Sequence, residues 1–170
     1  MKLSRLVYRS RQFWKASFGR PPRIESGRLL PYLSPEQVVL FRRMQPSEQA
    51  HAFQVLERLE ASGQHDRDLL AAALLHDVGK CLHPLSLWDR VLIVLGMHLF
   101  PGTARRWGEG QPRGLRRPFV VAAHHPDWGA DLAARAGASP PTVELIRCHH
   151  TPSPADDSLL AALRQADDLE

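Results

Sequence analysis

An imidazole and a carboxylate stand side by side at His76 and Asp77, directly after a run from Leu69 to Leu75 in which every residue is Leu or Ala. Such residues are good helix formers without polar groups, so the run predicts a helix buried on most of its circumference. An ionised carboxylate delivered into those surroundings is costly unless a cation or hydrogen-bond donors offset it. The neighbouring imidazole points to a metal, because nitrogen and oxygen donors together suit Fe, Mn, Co or Zn. A solvent-facing helix end is the plainer alternative. Further histidines at His51, at His124 and His125, and at His149 and His150 follow other helical patterns. Ligand types drawn from four helices favour a dedicated site over a chance pair.

The elements that must position these groups are legible from periodicity and caps. Ser34, Pro35 and Gln37 form a capping-box start to a helix through Val38, Val39, Leu40 and Phe41. A turn at Gln45, Pro46 and Ser47 opens the next helix, where His51, Val55 and Leu59 fall at i, i+4 and i+8 on the inward stripe. Gly63 and Asp66 punctuate the connection to the His76 helix, which predicts a hairpin with both histidines on facing surfaces. Phe119 to Ala123 lead to His124 and His125, and Pro126 should break or kink the helix there, leaving Asp127 to cap the next. Ser139 and Pro140 start a helix that carries Val143, Leu145 and Ile146 to His149 and His150. Ser153 to Asp156 read as a cap for a final helix, Leu159 to Leu169.

The segment His76-Asp77-Val78-Gly79-Lys80 resembles the His-Asp-[Ile/Val]-Gly-Lys core of the HD-domain metal-dependent phosphohydrolase superfamily. The order of an upstream His51, the His-Asp pair, His125-Pro126, His149-His150 and a terminal Ala166-Asp167 is similar to its two-metal members. The resemblance covers roughly residues 45 to 169. It implies an all-α, HD-domain-like helical bundle and one metal held by His51, His76, Asp77 and Asp167. A second is implied on Asp77, bridging, with His125 and His149. Two such cations, Fe or Mn before Zn, would generate hydroxide and clamp phosphate oxygens. Asp77, Lys80 and His150 are the implied catalytic residues, with Lys80 stabilising charge or organising water. His150 and His124 can each be read as ligand, acid for the leaving group, or hydrogen-bonding support. Two departures limit the likeness. The chain has Thr151-Pro152-Ser153-Pro154 where cyclic di-GMP phosphodiesterases have Gly-Tyr-Pro, and Ser47 stands where a third metal would need Glu. Between the neighbouring aspartates, Asp167 continues the apolar stripe of Leu160 and Leu163, whereas Asp168 follows Arg164 on the charged face.

With 170 residues, 44% of them hydrophobic and 7% aromatic, the chain is large enough for one core and reads as a single all-α domain over 1–170. Residues 1–33 form a basic N-terminal extension, 45–169 the HD-like core and 83–118 an elaboration within it. The formal charge of +4 suits an anionic partner, here a small phosphate-containing substrate rather than nucleic acid. Residues 3 to 18 place Leu3, Leu6, Val7, Trp14 and Phe18 at helical spacing among basic residues; such a helix packs on its own domain or touches an anionic membrane. Cys81 and Cys148 make neither a disulfide framework nor a CxxC motif, so a cytoplasmic location is expected. Val91 to Phe100 is too short to span a bilayer and is expected to be a core helix. The Gly- and Arg-rich stretch to Pro118 reads as a loop whose Arg105, Arg106, Arg113, Arg116 and Arg117 are candidates for binding substrate phosphate.

The expected function is hydrolysis of a small phosphate ester, foremost a nucleotide. A di-iron oxygenase with the same ligands and a nucleotide-sensing module without turnover are the alternatives. Substrate identity and oligomeric state are not written in the motif.

Overall fold

A computed structural model describes residues 24–151 and 158–168, and all regular structure among them is helical. The helices are α1 (Pro35–Phe41), α2 (Pro46–Ala61), α3 (Arg67–Leu75), α4 (Leu87–Leu99), α5 (Pro101–Gly108), α6 (Arg117–Arg135), α7 (Pro140–Cys148) and α8 (Ser158–Asp167). The basic segment 3 to 18 and the cap at Ser153 to Asp156 lie outside the described residues.

Local chemistry starts α1 and α3 and stops α2 where the sequence predicts. Ser34 and Gln37 close a reciprocal capping box on α1, and Asp66 accepts from the Leu69 amide at 2.9 Å to start α3. Helix α2 ends at Gly63, whose φ of 80° is the left-handed turn that favours glycine. The carboxylate of Asp68 accepts from the hydroxyls of Ser139 and Thr142, which ties the start of α3 to the start of α7.

Helix α3 is the centre of the core. Leu69 through Leu75 are all buried, and α2, α7 and α8 pack around them. Each fully buried Leu there contributes about 1.5–3 kcal/mol of apolar transfer. The turn Val78–Leu82 that follows lies against α6, backbone to backbone. A Cβ on Gly79 would collide with the carbonyl oxygen of His125 and lie 2.7 Å from the amide nitrogen of Gly129.

Three local expectations give way to packing. Pro126 does not end its helix: α6 runs through it to Arg135, and Asp127 is an exposed mid-helix residue 3.8 Å from Arg147 rather than a cap. Pro126 is buried, and this packing offsets the missing amide hydrogen bond. The stretch after Pro101 is not all loop, since α5 occupies its first eight residues. The third concerns Val91 to Phe100. They are helical, but α4 has no fully buried residue. It rests chiefly on α5 and α6, with Gly96 seated on the Phe119 ring and Arg90 reaching Glu48 of α2, and its outer face meets solvent. No helix among the described residues is long and apolar enough to cross a membrane.

Candidate metal centre

The hairpin of α2 and α3 brings His51 and His76 together, Nε2 to Nε2 at 3.2 Å. Helix α8 sets Asp167 beside them, its Oδ1 2.9 Å from His51 Nε2 and 3.5 Å from His76 Nε2. Arg58 of α2 fixes this arrangement by donating to the carbonyl of Ala166 at 2.9 Å. Asp168 is exposed, one residue further round the helix. The second group comes from α6 and the end of α7. Ligating atoms of His125, His149 and His150 lie within 4.8 Å of one another, as do those of His51, His76 and Asp167.

Asp77 stands between the two groups. Its Oδ2 is 3.7 Å from His76 Nε2 and 4.0 Å from His51 Nε2, while its Oδ1 is 3.2 Å from His125 Nε2. The end of α3 places this carboxylate, which is only 2% exposed.

Hydrogen bonding fixes which nitrogen of each ring faces the centre. The Nδ1 of His76, His125 and His149 meets the carbonyl oxygens of Ala73, Val121 and Ile146 at 2.9, 3.0 and 2.7 Å. A carbonyl only accepts, so each Nδ1 carries a proton and donates. In a neutral ring the Nε2 lone pair is then left pointing inward. The Nε2 atoms of His125 and His149 are buried and have no hydrogen-bond partner among the described residues. Leaving such an acceptor unsatisfied costs about 1–3 kcal/mol. A bare Nε2 and the Asp77 oxygen 3.2 Å away are both acceptors, and a cation shared by them removes the conflict. Donors sharing a cation at about 2.1 Å sit about 3 Å apart, so the spacing also fits.

The electrostatics of the protein groups agree. Burial opposes charge on Asp77, yet Lys80 and His76 outweigh it and hold the carboxyl well below its usual range. Burial also opposes charge on Asp167, but hydrogen bonds from His51 and His76 prevail and lower its pKa. His76 is raised despite burial because both carboxylates attract a proton there, a charge that a metal would supply instead. Burial, followed by the neighbouring rings, drives His149 down to about 2 and His150 to about 4, so both rings are neutral at physiological pH.

Each residue singled out in the sequence therefore has a place. His51, His76, Asp77, His125, His149 and Asp167 converge. His150 is exposed and joins the second group, its ring centroid 4.2 Å from that of His149. Lys80 donates to Asp77 Oδ2 at 2.6 Å. His124 faces elsewhere, meeting the Gly108 carbonyl at 3.1 Å and stacking on Trp128. Arg117 is held by Asp89 at 2.5 Å and by the Pro84 carbonyl. Arg105, Arg106, Arg113 and Arg116 are exposed, and no described contact joins them to the His–Asp groups. Separate Asp167→Ala and Asp168→Ala proteins should differ, with metal lost in the first and retained in the second by elemental analysis.

Sequence reading missed Glu48. It lies three residues before His51 on α2, is 3% exposed, pairs with Arg90 of α4, and reaches within 3.9 Å of Lys80 Nζ. The signal is its i−3 spacing from His51, beside Ser47 at the position where a third metal would need a carboxylate. Removing one partner of a part-buried ion network leaves the others uncompensated. Glu48→Gln should therefore cost about 2 kcal/mol, read as a fall in Tm. An unchanged Tm would show that Arg90 and Lys80 do not depend on it.

Comparison with protein-family models matches residues 49–170 to the HD domain. No curated protein and no solved structure matches the chain. The matched span holds every residue of both ligand groups, from His51 to Asp167, and the chain belongs to the HD domain family.

Proposed function

We propose that the protein is a metal-dependent phosphohydrolase acting on a small phosphate ester, foremost a nucleotide. The observation that carries this reading is Asp77, with one carboxylate oxygen toward His51 and His76 and the other toward His125. His51, His76, Asp77 and Asp167 would hold one divalent transition metal, and Asp77, His125 and His149, with His150 alongside, a second. Such cations supply the positive charge that polarises a phosphoryl group and makes water acidic enough to attack it at neutral pH.

The side chains divide the remaining work. The tie between Arg58 and Ala166 keeps Asp167 at its post, and the three Nδ1 donations stop the rings from turning. Burial opposes charge on Lys80, but Asp77 and Glu48 more than compensate and raise its pKa. Lys80 therefore stays protonated and acts as a fixed cation toward developing negative charge, not as a base. Neutral His150 is suited to ligate or to accept a proton, which argues against a resting role as general acid.

The test is elemental analysis of protein purified without chelator, followed by a screen of nucleotides and phosphodiesters with Mn²⁺ or Fe²⁺. Phosphate-ester cleavage that chelation abolishes supports the proposal. Failure to take up metal would overturn it, and turnover that requires oxygen would favour the oxygenase reading instead.

A further inference from the structure

We propose that the outer face of α4, together with the arginines that follow it, docks on an anionic lipid bilayer. Trp88, Leu95 and Leu99 fall at i, i+7 and i+11, one face of the helix, and are 80%, 47% and 59% exposed. Val94 and Phe100 extend the surface at 54% and 66%. From Val91 to Ala104 the chain has no Asp, Glu, Lys or Arg. A large contiguous apolar surface of this kind marks an interaction site. Helix α4 is too short to cross a bilayer and already rests on α5 and α6, so an occupant must meet it from outside, parallel to its axis.

Charge selects the occupant. From Leu87 to Arg117 there are six arginines against Asp89 and Glu109. Arg90 and Arg117 turn to Glu48 and Asp89, whereas Arg105, Arg106, Arg113 and Arg116 stay exposed. Helix α5 begins directly after the exposed Phe100, so Arg105 and Arg106 lie about 8 Å from it along the axis of α5. A second copy would bring the arginines little countercharge, since the acids of this segment are Asp89, already paired with Arg117, and Glu109. Residues 1–23 contain seven Lys or Arg and no acid, so that segment would also meet like charge. Anionic headgroups over an apolar layer match both the arginines and the face, and Trp88 is the residue type that settles at such a boundary.

Flotation of the full-length protein with phosphatidylglycerol-rich vesicles and with phosphatidylcholine vesicles tests this. Binding to the first and little to the second is expected. Leu95→Ser/Leu99→Ser should weaken binding by about tenfold or more through lost apolar burial. Arg105→Ala/Arg106→Ala should weaken it by about tenfold and reduce the preference for anionic lipid. These side chains are exposed, so helicity by circular dichroism should remain that of the parent. Absence of vesicle binding would overturn the proposal. Binding that survives the α4 changes but falls with Trp14→Ser/Phe18→Ser would move the contact to the N-terminal segment and overturn it too. Sedimentation showing a dimer that Leu95→Ser/Leu99→Ser dissociates would make a second copy the occupant.

Discussion

Asp77→Asn protein should hold at most one of the two cations and should lose about a thousandfold or more in kcat, the several kcal/mol that metal charge contributes at a reacting phosphoryl group. The substitution keeps the shape of the side chain and changes only its charge and one donor atom. Every other ligand belongs to one group, whereas Asp77 faces both, with Oδ2 near His51 and His76 and Oδ1 near His125. Asn presents a single oxygen, so one group must lose its share. Lys80, which donates to Asp77 at 2.6 Å, would be left with Glu48 at 3.9 Å as its nearest countercharge. His51→Ala should by contrast affect chiefly one site, and His124→Ala neither, because His124 faces Gly108 and Trp128. Elemental analysis beside steady-state rates decides this. Full metal content in Asp77→Asn protein would show that the carboxylate does not join the two groups.

What the sequence made legible follows from the reach of its rules. Helical period placed His51 with Val55 and Leu59, and those two neighbours are 0% and 1% exposed. The same period separated Asp167 from Asp168, because Leu163 is fully buried and fixes the inward face of α8. Period says which residues share a face and nothing about what covers it. That is why α4 reads as a core helix and yet stands exposed: its stripe is apolar, but chiefly α5 and α6 pack on it and they cover one side. Proline rules are likewise local. They describe the strain Pro126 introduces but not the packing of α6 that tolerates it. Glu48, Arg58 and Arg90 act across helices, and nothing within a few residues of each announces its partner.

The tightest glycine site among the described residues gives the last prediction: Gly79→Ala should destabilise the fold by about 3 kcal/mol or more and strip the His125 group of its metal first. Gly79 does not have a left-handed backbone, so conformational freedom is not its purpose. It lies where the turn after Asp77 meets α6, and its missing Cβ is what admits the carbonyl of His125 and the amide of Gly129. Backbone cannot swing aside as a flexible side chain does, so an added methyl must push the turn and α6 apart. The displacement acts at His125 itself, and its Nε2 would lose the 3.2 Å approach to Asp77. Of His51, His76 and Asp167 only His76 comes near that contact, its carbonyl 3.5 Å from where a Cβ on Gly129 would lie, so the first group should survive better. Gly129→Ala is the graded comparison. Its Cβ would meet Gly79 nitrogen at 3.2 Å and Ile146 Cγ2 at 3.3 Å, and the isoleucine can yield, for a cost of about 1 kcal/mol. For a chain of this size the two variants should lower Tm by roughly 6–12 °C and 2–4 °C. Equal losses in both, or a Gly79→Ala protein with parental Tm and metal content, would show that the turn and α6 are not held at backbone contact.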